Sequence, residues 1–419
     1  MRPLDEPTPA SVPRRYGDGI MTHQAPWQRA ASGAMLLDHD GRLAPTIFAE
    51  MSALATATDS INLGQGFPDE DGPDEVLAAA HEAMRSGLNQ YPPGRGMPVL
   101  LDAVADHQRR FYGIDLDPRR EVLVTAGATE ALAATILAFV DRGDEVVTLE
   151  PFYDAYGALV GLAGGVHVTV PLRGPDSVVD PDELRRAFGP RTRLVVLNDP
   201  HNPTGSVLDD ATRRLLLDLA VEHDALVVTD EVYEHLLLDG RTHVPFATLP
   251  GAADRTLSIS SGGKTFNTTG WKIGWLTGPA ELVDRVVAVK QYLTFVNGSV
   301  FQPAVAVGLG LPDAYFDGIA RALGHKRDVL SVGLRRAGFA VRPSVGTYFV
   351  VADAAPLGFD DAADLCRRLP GLAGVVGVPI SAFCHPAFAA EQSSLVRFAF
   401  CKRLEVLERA SDQLASLSV

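Results

Sequence analysis

Cysteine is scarce in this chain: three in 419 residues, Cys366, Cys384 and Cys401, all late in the sequence. An odd number with no CxxC spacing excludes a disulfide framework and points to a reducing compartment. Each thiol reads as a small buried hydrophobe, and no metal-ligand set is read from the sequence. Positive charge is also short, with 37 Lys and Arg against 52 Asp and Glu and a net charge of −15. That balance argues against nucleic acid and against an anionic membrane as partners. No apolar run approaches the ~20 residues of a membrane helix. Residues 1–33 are polar and proline-bearing, without the apolar segment of a signal peptide. The expectation is a cytoplasmic protein with a disordered extension over 1–33, and Met21 or Met35 is an alternative start. Neither an internal repeat nor a low-complexity tract is present; the 39 glycines and 29 prolines are scattered.

Hydrophobic residues make up 46% of the chain, enough for more than one core at this length. From about residue 120, strand-like runs (EVLVTAG, EVVTLEP, RLVVLNDP, ALVVTDEVY, TLSIS) alternate with helical ones such as ATEALAATILAFVDRGD and DDATRRLLLDLAVEHD. Such alternation predicts an α/β fold, with a mostly parallel sheet sandwiched by helices. Ligands in such sheets bind outside the carboxyl ends of the strands. After about residue 312 the pattern changes to a smaller α+β domain. The predicted organisation is an N-terminal part of that small domain over 34–80, a large domain over 81–311 and the rest of the small domain over 312–419.

Residues with chemistry fall at the predicted strand ends. Lys264 follows Ser-Gly-Gly in SISSGGKTFNTTGWKIGW, where small residues let a ring approach the backbone. A lysine is a nucleophile only when burial or a nearby cation strips its proton, as a Schiff-base lysine requires. Lys272, eight residues on, suits an anionic group of the same ligand. Asp230 ends ALVVTD; a carboxylate beside a pyridine nitrogen keeps the ring protonated as an electron sink, while the alternative is a cap. Tyr233 is placed to donate to a ring oxygen. Gly127-Ala128-Thr129 opens a helix, and helix N-termini bind phosphate. Asn202, in NDPHNPTG, suits a ring oxygen or a carboxylate, and the neighbouring His201 reads as an ordinary loop histidine. Tyr153 is a candidate to stack on the ring, with Phe152 its rival. Arg397 is a lone arginine in an apolar strand; buried, it needs a carboxylate, structural or the substrate's own.

With these residues in place, the chain resembles the fold-type I pyridoxal phosphate aminotransferases, from about residue 44 to the end. The motifs are NLGQGFPDEDGP (62–73), NQYPPGRG (89–96), VTAGATEA (124–131), EPFYDAY (150–156), HNPTG (201–205), TDEVYEHL (229–236), SSGGKTFNTTGWKIGW (260–275), GTYF (346–349) and VRFAF (396–400). They fit the class I subgroup of kynurenine, methionine and glutamine aminotransferases. Within it the chain is most similar to actinobacterial N-succinyldiaminopimelate aminotransferases. The resemblance implies Lys264 as the Schiff-base lysine, Asp230 on the pyridine nitrogen, and Asn202 and Tyr233 on the ring oxygen. It implies Ala128, Thr129, Ser261 and Lys272 on the phosphate, with Tyr91 reaching it from the other subunit of a homodimer. Gly66 and Arg397 are implied as receivers of the substrate carboxylate. Lys272 stands where several relatives have arginine, which costs bidentate geometry but not charge. The implied substrates are N-succinyl-L,L-2,6-diaminopimelate and 2-oxoglutarate, of the lysine pathway, with Arg95 and Lys290 the nearest candidates for the distal carboxylates. Methionine, glutamine or kynurenine is the alternative, as is carbon–sulfur β-elimination on the same fold. A transcription regulator on this fold is discounted, because only about 33 polar residues precede it and the charge is acidic.

Overall fold

The computed structural model describes residues 24–417. Its centre is an eight-stranded sheet in the order Val122–Ala126, Ile273–Thr277, Thr256–Ser261, Leu226–Asp230, Thr192–Asn198, Glu145–Glu150, Val166–Arg173, Val178–Val179. The five strands from Thr256–Ser261 to Val166–Arg173 run parallel; Ile273–Thr277 is antiparallel to both its neighbours, and Val178–Val179 is antiparallel at the edge. Successive side chains on a strand point to opposite faces, and here both faces are apolar. Val146, Leu194, Val196 and Val228 pack on one face against Ala131, Leu132 and Ile136 of helix Gly127–Phe139. Val147, Val195, Leu197 and Val227 pack on the other against Leu216 and Ala220 of helix Asp210–Glu222. Continuous Val/Leu runs are what a parallel sheet covered on both sides requires.

A second, antiparallel sheet joins Ala340–Val341, Phe349–Asp353, Leu395–Ala399 and Val378–Pro379. It shares a core with helices Asp313–Arg336, Ala362–Ala373 and Leu404–Ala415. Gly333 permits the close crossing of the first and last of these, since a Cβ there would lie 2.4 Å from that of Ser411. From the stretch 34–80, helix Ile47–Thr58 and strand Ile61–Asn62 join this core, the strand pairing with Val375–Val376. Helix Asp74–Arg85, in contrast, packs through Val76 and Ala80 against Ala304 and Val305 beside the large sheet.

The expected disordered extension needs correction where it is described. Pro26–Gly33 is an α-helix lying on helix Asp154–Ala163. The contact is backbone to backbone: a Cβ on Gly33 would sit 2.0 Å from the Gly157 carbonyl oxygen, and one on Gly161 would sit 2.3 Å from that of Arg29. Glycine alone permits that approach, so a polar, proline-bearing segment still finds a docking groove. Residues 1–23, the rest of that expectation, lie outside the described residues. No helix among the described residues is long and apolar enough to cross a membrane.

Candidate active site

A cavity of about 250 Å³ opens at the carboxyl ends of the large sheet's strands, where it meets the smaller sheet. Eleven of the residues expected from sequence to hold the cofactor or the α-carboxylate line it: Gly66, Ala128, Thr129, Tyr153, Asn202, Asp230, Tyr233, Ser261, Lys264, Lys272 and Arg397. Strand ends carry most of them. Asp230 and Ser261 are the last residues of their strands, and Gly127, at φ +73°, turns its strand into the helix that presents Ala128 and Thr129. A Cβ on Gly274 would meet the Gly127 carbonyl carbon at 2.6 Å, so the helix start rests directly on the neighbouring strand. Lys272 holds φ +55°, which brings its Nζ over Gly127. Two cationic features, the helix N-terminus and this ammonium, thus face one corner of the cavity.

Asp230 is buried. Its Oδ2 accepts a hydrogen bond from the Tyr156 hydroxyl at 2.7 Å, and its backbone carbonyl accepts from Asn198 Nδ2 at 2.8 Å. Burial pushes the carboxyl up to about 6, against the opposing pull of the Tyr156 and Val232 hydrogen bonds and of Lys264. Its Oδ1 has no hydrogen-bond partner among the described residues. Burial likewise holds the Lys264 amine below the usual lysine range, and the cations Arg397 and Lys272 add to this while Cys401 and Asp230 oppose it. Lys264 Nζ donates to the Tyr348 hydroxyl at 2.9 Å, which in turn donates to the Gly66 carbonyl at 2.6 Å. Arg397 is 1% exposed, on strand Leu395–Ala399. It donates to Asn202 Oδ1 at 2.9 Å and to the Gly64 carbonyl at 2.8 Å, and its guanidinium carbon lies 4.0 Å from the centre of the Phe349 ring. Burial lowers its pKa to about 10, so it remains a cation at neutral pH; its Nε lacks a partner among the described residues. Tyr153 and Tyr156 meet edge to face at 5.8 Å.

Several expectations end elsewhere. Tyr91 is 83% exposed and packs on Phe295, outside the cavity. Arg95 bonds the Arg120 carbonyl and pairs with Asp284, and Lys290 donates to the carbonyls of Phe295 and Gly94. Neither lines the cavity, so within one chain its cations are Lys264, Lys272 and Arg397. His201 is buried, bonded to Thr204 Oγ1, and lowered to about 4 by burial; it braces its own loop. The sequence reading assigned no role to Tyr156, Asn198 or Tyr348, although all three stand inside or beside quoted motifs. Their signal was a polar group next to a strand end; their partners only folding supplies.

Comparison with known proteins agrees with this geometry. The model of the family "Aminotransferase class I and II" matches residues 58–414. The chain is 51% identical over 383 residues to the probable N-succinyldiaminopimelate aminotransferase DapC of Mycobacterium tuberculosis, covering 90% of this chain and 96% of that one. It is 37% identical to the methionine aminotransferase of Escherichia coli, covering 90% and 97%. The solved N-succinyldiaminopimelate aminotransferase of M. tuberculosis superposes with a TM-score of 0.87 at 52% identity, covering 90% of this chain and 98% of that one. The chain therefore belongs to the class I and II aminotransferases, and is a pyridoxal phosphate-dependent aminotransferase of fold type I.

Proposed function

We infer that the enzyme exchanges the amino group of N-succinyl-L,L-2,6-diaminopimelate with 2-oxoglutarate, a step of lysine biosynthesis. The observation that carries this reading is the 51% identity to the M. tuberculosis relative along 96% of its length, against 37% for the methionine aminotransferase. The cavity suits the cofactor: Asp230 Oδ1 is a buried, unpartnered acceptor, and the helix N-terminus with Lys272 is a ready anion site. Bound there, pyridoxal phosphate supplies an aldehyde that condenses with amines and a ring that delocalises carbanion charge.

The chain's own residues divide the remaining work. Lys264, its amine biased toward the neutral form by burial, attaches the cofactor and moves the proton at the substrate's α-carbon. Tyr348 holds that amine in place and ties it to Gly66, whose segment receives the carboxylate. Asp230 keeps the pyridine nitrogen protonated, and Tyr156 and Asn198 orient Asp230. Ala128, Thr129, Ser261 and Lys272, which line one part of the cavity, would hold the phosphate, Tyr153 would pack against the ring, and Asn202 and Tyr233 would bind the ring oxygen. Arg397 receives the α-carboxylate in a fork that Asn202 and Gly64 pre-orient. Tyr91 belongs to an exposed apolar strip with Tyr292, Leu293 and Phe295, which suits the face of a homodimer whose partner completes the phosphate site. Because Arg95 and Lys290 are engaged elsewhere, cations for the distal carboxylates would come from that second subunit.

Comparing kcat/KM for N-succinyldiaminopimelate and for methionine, each with 2-oxoglutarate, tests the reading. The succinylated substrate is expected to win. A tenfold or greater preference for methionine overturns the assignment; with a cysteine S-conjugate as substrate instead, release of its thiol with pyruvate and ammonia in the absence of any oxo acid would favour β-elimination.

A further inference from the structure

Behind the cofactor cavity, on the far side of Tyr233, lies a second cluster of chemistry-bearing side chains. His107, from helix Pro98–Tyr112, is 1% exposed. Glu234 and His235 follow Tyr233 in the segment after strand Leu226–Asp230. One ligand-capable atom from each of the three lies within 4.8 Å of the other two. The Nε2 atoms of His107 and His235 face each other at 2.7 Å, with their rings nearly perpendicular. Glu234 is 4% exposed; its Oε1 accepts a hydrogen bond from Ser260. The Tyr112 hydroxyl lies beside that carboxylate and interacts with it, and a cavity of about 160 Å³ adjoins the cluster, lined by Tyr112, Glu234, His235, Arg241 and His243.

We propose that His107, Glu234 and His235 form a site for a divalent transition-metal ion of the Zn²⁺ class. Two imidazoles and one carboxylate are a common ligand set for that ion, with a fourth position left to water in the adjoining cavity. Nitrogen ligands select against Mg²⁺ and Ca²⁺, which favour oxygen. The present N···N contact is a hydrogen bond, one ring donating to the other. Tetrahedral bonds of about 2.0–2.1 Å set two ligand nitrogens roughly 3.3 Å apart, so the rings must part by about 0.6 Å. The donor ring moves its proton to Nδ1, and any proton on Glu234 leaves to solvent. The Arg110 guanidinium nearby opposes a cation, which the Glu234 carboxylate offsets. A bound ion would pin helix Pro98–Tyr112 to the segment that carries Asp230 and Tyr233.

The test uses holoenzyme stripped with a chelator and dialysed against Zn²⁺, then Co²⁺. Wild type is expected to keep one ion per chain, show the visible absorption of tetrahedral Co²⁺, and gain thermal stability with Zn²⁺. His235→Gln and Glu234→Gln should each lose the ion. His39→Ala, which removes the exposed Asp38–His39–Asp40 cluster, should keep it. No uptake by wild type, uptake unchanged in both site variants, or loss in His39→Ala overturns the proposal. Should a site variant fail to fold, zinc X-ray absorption of wild type decides: two imidazole nitrogens in the coordination shell support the site, and fewer than two refute it.

Discussion

Arg397→Lys separates carboxylate recognition from simple charge. The guanidinium places Nη1 on Asn202, Nη2 on the Gly64 carbonyl and leaves Nε unpartnered, while its plane lies close to Phe349 and Phe383. An ammonium keeps the charge but cannot serve two protein acceptors and a carboxylate in one planar fork. Losing one hydrogen bond to a charged group costs about 1.5–3 kcal/mol, roughly a 10- to 150-fold drop in kcat/KM. The contact holds in the ground state as well as the transition state, so the loss should fall on KM more than on kcat. An orphaned Gly64 carbonyl adds a stability cost of about 1–3 kcal/mol, visible as a lower Tm. The assay is the amino half-reaction, run with an amino acid and with the matching amine that lacks the carboxylate. The amino acid should lose its advantage over the amine. An equal loss for both would make the role structural, and no loss for the amino acid would remove Arg397 from substrate binding.

Two further perturbations probe the cofactor side. Lys264→Ala should abolish turnover while the folded protein still binds cofactor non-covalently; near wild-type turnover would refute the role given to this amine. In Tyr156→Phe the hydroxyl that stabilises the Asp230 anion is gone, so a carboxyl already raised to about 6 rises further. Its ionised form then exists only from a higher pH upward, and the acid limb of kcat/KM should move up by about one unit for each ~1.4 kcal/mol lost. An unmoved limb would show that this bond does not tune Asp230.

Much of the site was legible because the chemistry sits where the alternation of elements puts it. ALVVTD and TLSISSGGK are apolar runs that end in a functional residue, and a parallel sheet brings every such end to one edge. That placement follows from periodicity, so Asp230, Lys264, Gly127 and Asn202 could be assigned to one edge before any coordinate was known. Residue type supplied the rest: a lone arginine in VRFAF demands an anion, and a Gly-rich turn before a helix offers N–H donors. Pairings across long sequence separations were not legible. Tyr348 meets Lys264 across 84 residues and Tyr156 meets Asp230 across 74, and nothing local distinguishes these tyrosines from core aromatics. Arg95 and Lys290 read as free cations in sequence, yet packing commits one to Asp284 and the other to backbone carbonyls. His107 and His235, 128 residues apart, become neighbours only because helix Pro98–Tyr112 lies against the segment beyond Asp230. Helix Pro26–Gly33 has the composition of a tail, and only the bare backbone of Gly157 and Gly161 gives it a surface to lie on. Local sequence determined which strands end in chemistry, because period and residue type are local properties. Which side chains orient that chemistry was decided by tertiary packing, because a hydrogen-bond partner is a matter of position in space.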